Sequence, residues 1–140
     1  MKRLTVIILT LLCGLAAMLS GCDATIPLTT RDGTTYDVTS VGFSNEYAGR
    51  VPSDGTMFLL VTVQGEDSEL DTMQNLFFGS TGKAQVSDGT TTQQCTLVVY
   101  APRSGGKLDM VLLFQVPTAF SHEFSMSGEG FESVSLTVEE

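Results

Sequence analysis

The chain has 140 residues and carries 16 Asp and Glu against 7 Lys and Arg, a formal net charge of −9. A protein this acidic is repelled by phosphate backbones and anionic lipid headgroups, which argues against nucleic-acid binding and against membrane attachment through a basic patch. The length is that of a single domain.

The first 21 residues have the layout of an export signal. Lys2 and Arg3 precede a mostly apolar run from Leu4 to Leu19. This run is shorter than the roughly 20 apolar residues that cross a bilayer, and it ends in small residues instead of a basic stop-transfer patch. We interpret residues 1–21 as a removable signal peptide. A buried helix that ends at Gly21 is the alternative, but it leaves the two basic residues unexplained.

The signal ends in Leu19-Ser20-Gly21-Cys22, which resembles the lipobox of bacterial lipoproteins. The resemblance implies that a diacylglycerol is attached to the Cys22 sulfur and that the signal is cleaved between Gly21 and Cys22. Two acyl chains hold a protein stably on a membrane. The predicted location is therefore extracytoplasmic, with the protein lipid-anchored to the bacterial cell membrane. An ordinary signal followed by a free Cys22 is the alternative interpretation.

Loss of the signal changes the composition of the remaining chain. Five basic residues then face sixteen acids, a net charge of 5 − 16 = −11. With Cys13 removed and Cys22 lipidated, Cys95 has no partner for an intramolecular disulfide. Residues 22–33 show no periodicity and contain Pro27, so we predict a lipidated N-terminus and flexible tether there, followed by one domain at 34–140.

Turn sequences rich in Asp, Ser and Gly separate short segments with strand character in that domain. Asp-Gly between alternating runs is a strong hairpin signal, and β-branched residues dominate the segments. The predicted strands cover residues 34–43, 57–64, 83–87, 90–100, 107–116 and 131–140. Helical periodicity is confined to a single turn around residues 69–74. The pattern predicts an all-β chain of about seven to eight strands, for which a sandwich is the economical architecture.

Two details of these strands can be predicted from alternation. Tyr36 and Val38 are out of phase with Val41 and Phe43, which indicates a β-bulge near residues 39–40. The segment 107–116 is apolar on one face and partly apolar on the other, so we expect a central strand.

Several segments, together with the lipobox, resemble a family of uncharacterised surface lipoproteins, mostly of Gram-positive bacteria. They are Met57–Val63, Asn75–Phe78 running into the Ser80–Lys83 turn, and Ser104–Gly106 followed by Leu112–Pro117. The resemblance implies an immunoglobulin-like antiparallel β-sandwich outside the cytoplasm and brings no established activity. Where that family has an Asn after the early strand, this chain has Gln64-Gly65-Glu66.

The run from Gly65 to Asp71 places carboxylates at Asp67, Glu69 and Asp71. Calcium favours several oxygen ligands on one turn, so this loop is where a cation would bind. The Gly and Glu that complete an EF-hand loop are missing, however. A solvated acidic loop is the alternative.

Cys95 and His122 are the candidates for a nucleophile and a base. Their positions in the alternation predict that both lean toward the core. A reactive thiolate needs a partly exposed, electropositive setting, and this acidic chain supplies the opposite charge. A buried inert thiol and a separately hydrogen-bonded histidine are therefore the expected state, with a catalytic Cys/His pair as the alternative.

The loop at residues 45–54 contains Tyr47 and Arg50, residue types that contribute strongly to interfaces. We predict an interaction loop there, with an ordinary long loop as the alternative. The resulting hypothesis is a lipid-anchored, non-enzymatic binding domain without a cofactor, whose partner is an envelope protein, a peptide or a glycan. The second hypothesis is a structural or accessory lipoprotein of an envelope or transporter complex, without a ligand of its own.

Overall fold

The computed structural model describes residues 25–80 and 82–138, and within this part the chain forms one antiparallel sheet. The strands are β1 Ile26–Thr29, β2 Thr35–Ser44, β3 Thr56–Glu66, β4 Gln85–Ser87, β5 Thr92–Pro102, β6 Lys107–Pro117, β7 Glu123–Gly128 and β8 Phe131–Thr137. Their order across the sheet is β1-β2-β3-β6-β5-β4-β7-β8. An antiparallel bridge between Thr30 and Phe131 brings the two outer strands together, so the sheet is nearly barrel-shaped.

The prediction of an all-β chain with about seven to eight strands is confirmed by these eight described strands. The two facing sheets of an immunoglobulin-like sandwich are not confirmed. Strand β5 pairs with β6 on one side and with β4 on the other, and it thereby joins both halves into a single sheet.

Strand β6 has the central position that its sequence predicts, between β3 and β5. Its inward residues are fully buried and form the middle of the core: Leu108, Met110, Leu112, Phe114 and Val116. The predicted bulge is also present, because the register between β2 and β3 shifts between Val38 and Ser40.

Part of the predicted flexible tether at residues 22–33 is ordered, because residues 26–29 form strand β1. Leu28 is fully buried and lies opposite Tyr36 of β2. Pro27 is tolerated in β1 because β1 is an outer strand of the sheet. An outer strand pairs along one side only, so the backbone N–H that proline lacks can face the unpaired side. Residues 22–24 lie outside the described residues.

The connection from β3 to β4 contains a helix where the sequence predicts one turn. After a 3-10 turn at Asp67–Glu69, helix α1 covers Leu70–Phe78. Met73 and Phe77 lie one helical turn apart and are fully buried, and the Phe77 ring lies 5.4 Å from the Phe131 ring. The helix thus covers one end of the curled sheet.

We call this the helix end, where the β1–β2 and β7–β8 turns lie. The opposite end, with the loops at residues 45–55 and 118–122, is the loop end. Strand β7 is not among the strands that the sequence predicts. Its residues Phe124 and Met126 are buried and alternate with exposed or half-buried polar residues.

Candidate functional site

The predicted lipidation site lies outside the described residues, as does the cleavage site at Gly21 and Cys22. Strand β1 begins at Ile26, four positions after Cys22 in the sequence. Over the ranges 25–80 and 82–138, no helix has the length and apolar character needed to cross a membrane.

A groove at the helix end is a concave site formed by described residues. It consists of two adjoining cavities of about 210 and 370 Å³, both lined by Thr72, Leu76 and Gly130. The remaining lining residues are Thr30, Arg31, Asp32, Thr34 and Tyr36 in the first cavity and Asn75, Gly82 and Glu129 in the second. We call this site the α1 groove, since α1 forms one wall and the two turns form the other.

The β1–β2 turn is held by a compact set of hydrogen bonds. The Thr30 hydroxyl donates to the Asp32 carboxylate, and the Thr34 N–H donates to the Thr30 hydroxyl at 3.0 Å and to the Asp32 carboxylate at 3.1 Å. Donation by the Thr30 hydroxyl, and next by the Thr34 N–H, lowers the pKa of Asp32. The groove wall therefore carries a negative charge at neutral pH.

Arg31 joins this turn to the β7–β8 turn. Its backbone N–H donates to the Gly130 carbonyl and its Nε donates to the Glu129 carbonyl, both at 2.9 Å. A Cβ at Gly130 would lie 2.6 Å from Cδ1 of Leu76, so the glycine allows α1 to pack closely against the turn. Arg31 and Gly130 together fix the width of the groove.

Tyr36 forms part of the groove floor and is only 3% exposed. Its hydroxyl donates a long hydrogen bond of 3.4 Å to Oε2 of Glu69. Burial, and then the charge of Glu69, raise the pKa of Tyr36. At neutral pH the groove therefore presents a neutral phenol, whose oxygen can still accept a hydrogen bond while its O–H donates to Glu69.

The three candidate ligand residues of the predicted cation loop have helical conformation. Asp67 and Glu69 belong to the 3-10 turn and Asp71 to the first turn of α1. Glu69 lies two residues from each of the other two, and residues two apart on a helical turn do not face each other, so the three carboxylates do not share one face. In the described part of the chain, no group of three or more His, Cys, Asp or Glu is placed to hold a metal.

Cys95 and His122 differ in their surroundings. Cys95 is 2% exposed, as its place in the alternation predicts, and its thiol donates to the Leu97 carbonyl at 3.4 Å. Burial raises the pKa of Cys95 to about 11. His122 is exposed, so the prediction that it leans toward the core is wrong. It lies just before β7, where strand alternation does not yet apply, and its ring packs edge-on against Phe43 at 5.2 Å.

The predicted interaction residues Tyr47 and Arg50 form a tight hairpin at the loop end. The Tyr47 N–H donates to the Arg50 carbonyl at 3.1 Å, and the Arg50 N–H donates to the Tyr47 carbonyl at 2.9 Å. Ala48 and Gly49 between them have φ of 53° and 77°. Val51 follows and is 76% exposed. We call residues 47–50 the 47–50 hairpin.

Comparison of the chain with protein-family models, with curated proteins and with solved structures finds no match. The 47–50 hairpin lies within the predicted interaction loop at residues 45–54, whereas the sequence does not predict the α1 groove. Its turn residues Asp32 and Gly33 are only a hairpin signal in the sequence, and nothing local indicates which helix packs beside them.

Proposed function

We propose that this chain is a lipid-anchored, extracytoplasmic binding domain that is not an enzyme. The observation that carries the proposal is the Leu19–Cys22 lipobox behind a basic and then apolar signal. Membership of the surface lipoprotein family and an immunoglobulin-like sandwich stay predictions. In this proposal β1 begins four residues after the lipidated Cys22, and the strand runs from there toward the helix end.

The α1 groove is the proposed ligand site, and it lies at the end toward which β1 runs. It combines threonine hydroxyls, the Asn75 amide and the Asp32 carboxylate with the apolar side chain of Leu76. A concave surface with a few converging polar groups is typical of a binding site. Ligands with many hydrogen-bonding groups, such as a peptide, a glycan or a polar loop of an envelope protein, fit this lining.

The proposal that the domain has no catalytic activity is supported by the state of Cys95. This residue is the candidate nucleophile of the sequence, yet it is a buried thiol whose pKa is raised to about 11. A thiol in this state is a poor nucleophile at neutral pH.

The anchor is tested by intact-mass analysis of the protein purified from membranes of a bacterial host that processes lipoproteins. We expect a chain that begins at Cys22 and carries a diacylglyceryl group. The Cys22→Ala variant should lack this added mass and leave the membrane fraction. A native chain that begins at Met1 without modification would overturn the proposal.

The ligand site is tested by using the mature domain as bait for envelope proteins and cell-wall glycans. Thr72→Arg places a long side chain in the α1 groove, whereas Gln74→Arg, also on α1 and exposed, lies outside its lining. We expect wild type and Gln74→Arg to capture the same partner and Thr72→Arg to lose it. Equal capture by all three would exclude the groove as the site, and a lipidated domain that captures nothing would favour the accessory role.

A further inference from the structure

The segment between the proposed lipid and the fold is short compared with the sheet. Cys22 lies four residues before Ile26, which gives at most about 14 Å of extended chain. Ile26 pairs with Val38, and β2 continues from Val38 to Ser44 toward the loop end. That stretch is roughly 17–20 Å long, allowing for the bulge. The 47–50 hairpin lies in the loop that follows Ser44.

The lipidated Cys22 therefore cannot move beyond the loop end, although it must lie at the membrane surface. Either the loop end contacts the bilayer, or the domain lies on the wall formed by β1 and its neighbours. The exposed residues of that wall are mostly hydroxyl-bearing or acidic: Pro27, Thr35, Asp37, Glu132, Ser133, Ser135 and Thr137. Such a surface gains little from the apolar boundary of a bilayer.

The loop end carries the apolar and cationic groups that suit a lipid surface. Val51 is 76% exposed, and among the described residues it is one of two large hydrophobic side chains with high exposure. Ala48 has a positive φ, a conformation that costs a non-glycine residue about 1–3 kcal/mol and persists when the surroundings enforce it. Arg50, whose guanidinium is suited to phosphate, closes this tight turn and directly precedes Val51 in the chain.

We propose that the loop end docks on the phospholipid bilayer that holds the lipid anchor, with Val51 at the apolar boundary and Arg50 at the phosphates. This inference rests on the proposed lipidation of Cys22. One valine and one arginine bind weakly, so the contact forms because the anchor keeps the domain at high local concentration. In this orientation the α1 groove faces away from the membrane.

The lipid composition of the bilayer should influence this docking. The loop end also carries Glu46, Asp54, Asp88 and Glu123. N–H groups of Thr91, Thr90 and Ser121 lower the pKa of Asp88, in that order of size, so this carboxylate stays charged. These acids oppose an anionic surface, and we expect the contact to be closest on zwitterionic lipid.

The test uses lipidated mature protein with Val51→Cys, labelled with an environment-sensitive fluorophore and reconstituted into phosphatidylcholine vesicles. The fluorophore should react with the introduced cysteine and not with Cys95, because Cys95 is buried. We expect a blue shift and quenching by a lipid-borne quencher. The matched control is Gln74→Cys, exposed at the helix end, which should keep its aqueous spectrum. Phosphatidylglycerol should reduce the Val51→Cys shift at low salt, and high salt should restore it.

The outcomes separate this inference from the proposed function. If mass analysis shows no lipid and the protein stays off the vesicles, both fail together. If the lipidated protein binds vesicles but neither probe shifts, or both shift equally, docking through the loop end is wrong while the anchor stands. A shift at Val51→Cys in the unlipidated Cys22→Ala protein would overturn the inference that the contact depends on the anchor.

Discussion

Burial determines the chemical reactivity of Cys95. It lies where β5 has a register shift against β6, between Cys95 and Leu97, and its thiol bonds to the Leu97 carbonyl. Removal from water disfavours the thiolate, and the pKa rises from 9.0 to about 11. The alternation predicts this burial, because Cys95 shares its phase with apolar neighbours.

The raised pKa of Cys95 predicts a loss of stability at alkaline pH. Above pH 9 the unfolded chain releases the thiol proton while the folded chain retains it up to about pH 11. The contribution of this thiol to the free energy of unfolding is therefore constant below about pH 8 and falls by about 1 kcal/mol by pH 10. Urea unfolding at pH 8 and pH 10 measures this difference. Tyr36 acts in the same direction above pH 10, so Cys95→Ala, which should lose the thiol contribution, is the control.

Gly79, at the end of α1, is a second residue whose role depends on its surroundings. A Cβ there would lie 2.3 Å from the Asn75 carbonyl oxygen, a backbone atom that cannot turn away. We expect Gly79→Ala to lower the free energy of unfolding by about 1–3 kcal/mol. Gly42→Ala is the matched control, because nothing lies within 4 Å of its Cβ. Equal stability of the two variants would contradict the close approach.

At the scale of elements, α1 is longer than the single turn that the sequence predicts. Its N-cap residue Glu69 makes no capping side-chain hydrogen bond, and the helix has nine residues. A helix this short is marginal alone and depends on packing. The spacing of Met73 and Phe77 is the local signal that could have identified it. That signal is weak in a chain dominated by strand patterns, because two apolar residues also occur by chance.

The packing of α1 predicts the effect of truncating Phe77. This ring is fully buried and contacts Phe131 across the helix end. We expect Phe77→Ala to cost about 3–5 kcal/mol of unfolding free energy, measured by urea denaturation. The exposed Gln74→Ala on the same helix should change stability by less than about 0.5 kcal/mol. A small loss at Phe77 would indicate that the helix is not required for the core.

At the scale of the whole molecule, closure of the curled sheet depends on strand β1, which lies in the segment where the sequence predicts a tether. Leu28 is fully buried, and Arg31 links the first turn to the β7–β8 turn. The N-terminal region therefore serves two purposes in our proposal, as the attachment to the lipid and as a strand of the fold.

This dual role predicts a sharp difference between two truncated chains. A domain that begins at Thr25 retains β1 and should unfold cooperatively. A domain that begins at Arg31 loses Leu28 and the edge pairing with β2, and we expect a loss of at least about 2–3 kcal/mol from the buried leucine alone. Thermal unfolding followed by circular dichroism compares them. Identical transitions would mean that β1 is dispensable.

The sequence by itself determined the features that depend on neighbours along the chain. Alternation and turn residues were sufficient for the all-β class, the central position of β6, the bulge after Val38 and the burial of Cys95. Only the tertiary structure decided that the strands form one curled sheet, that β1 belongs to it and that α1 covers its end. These features depend on contacts between distant segments, such as Arg31 with Glu129 and Leu76 beside Gly130. A local sequence pattern does not indicate which distant segment will pack against it.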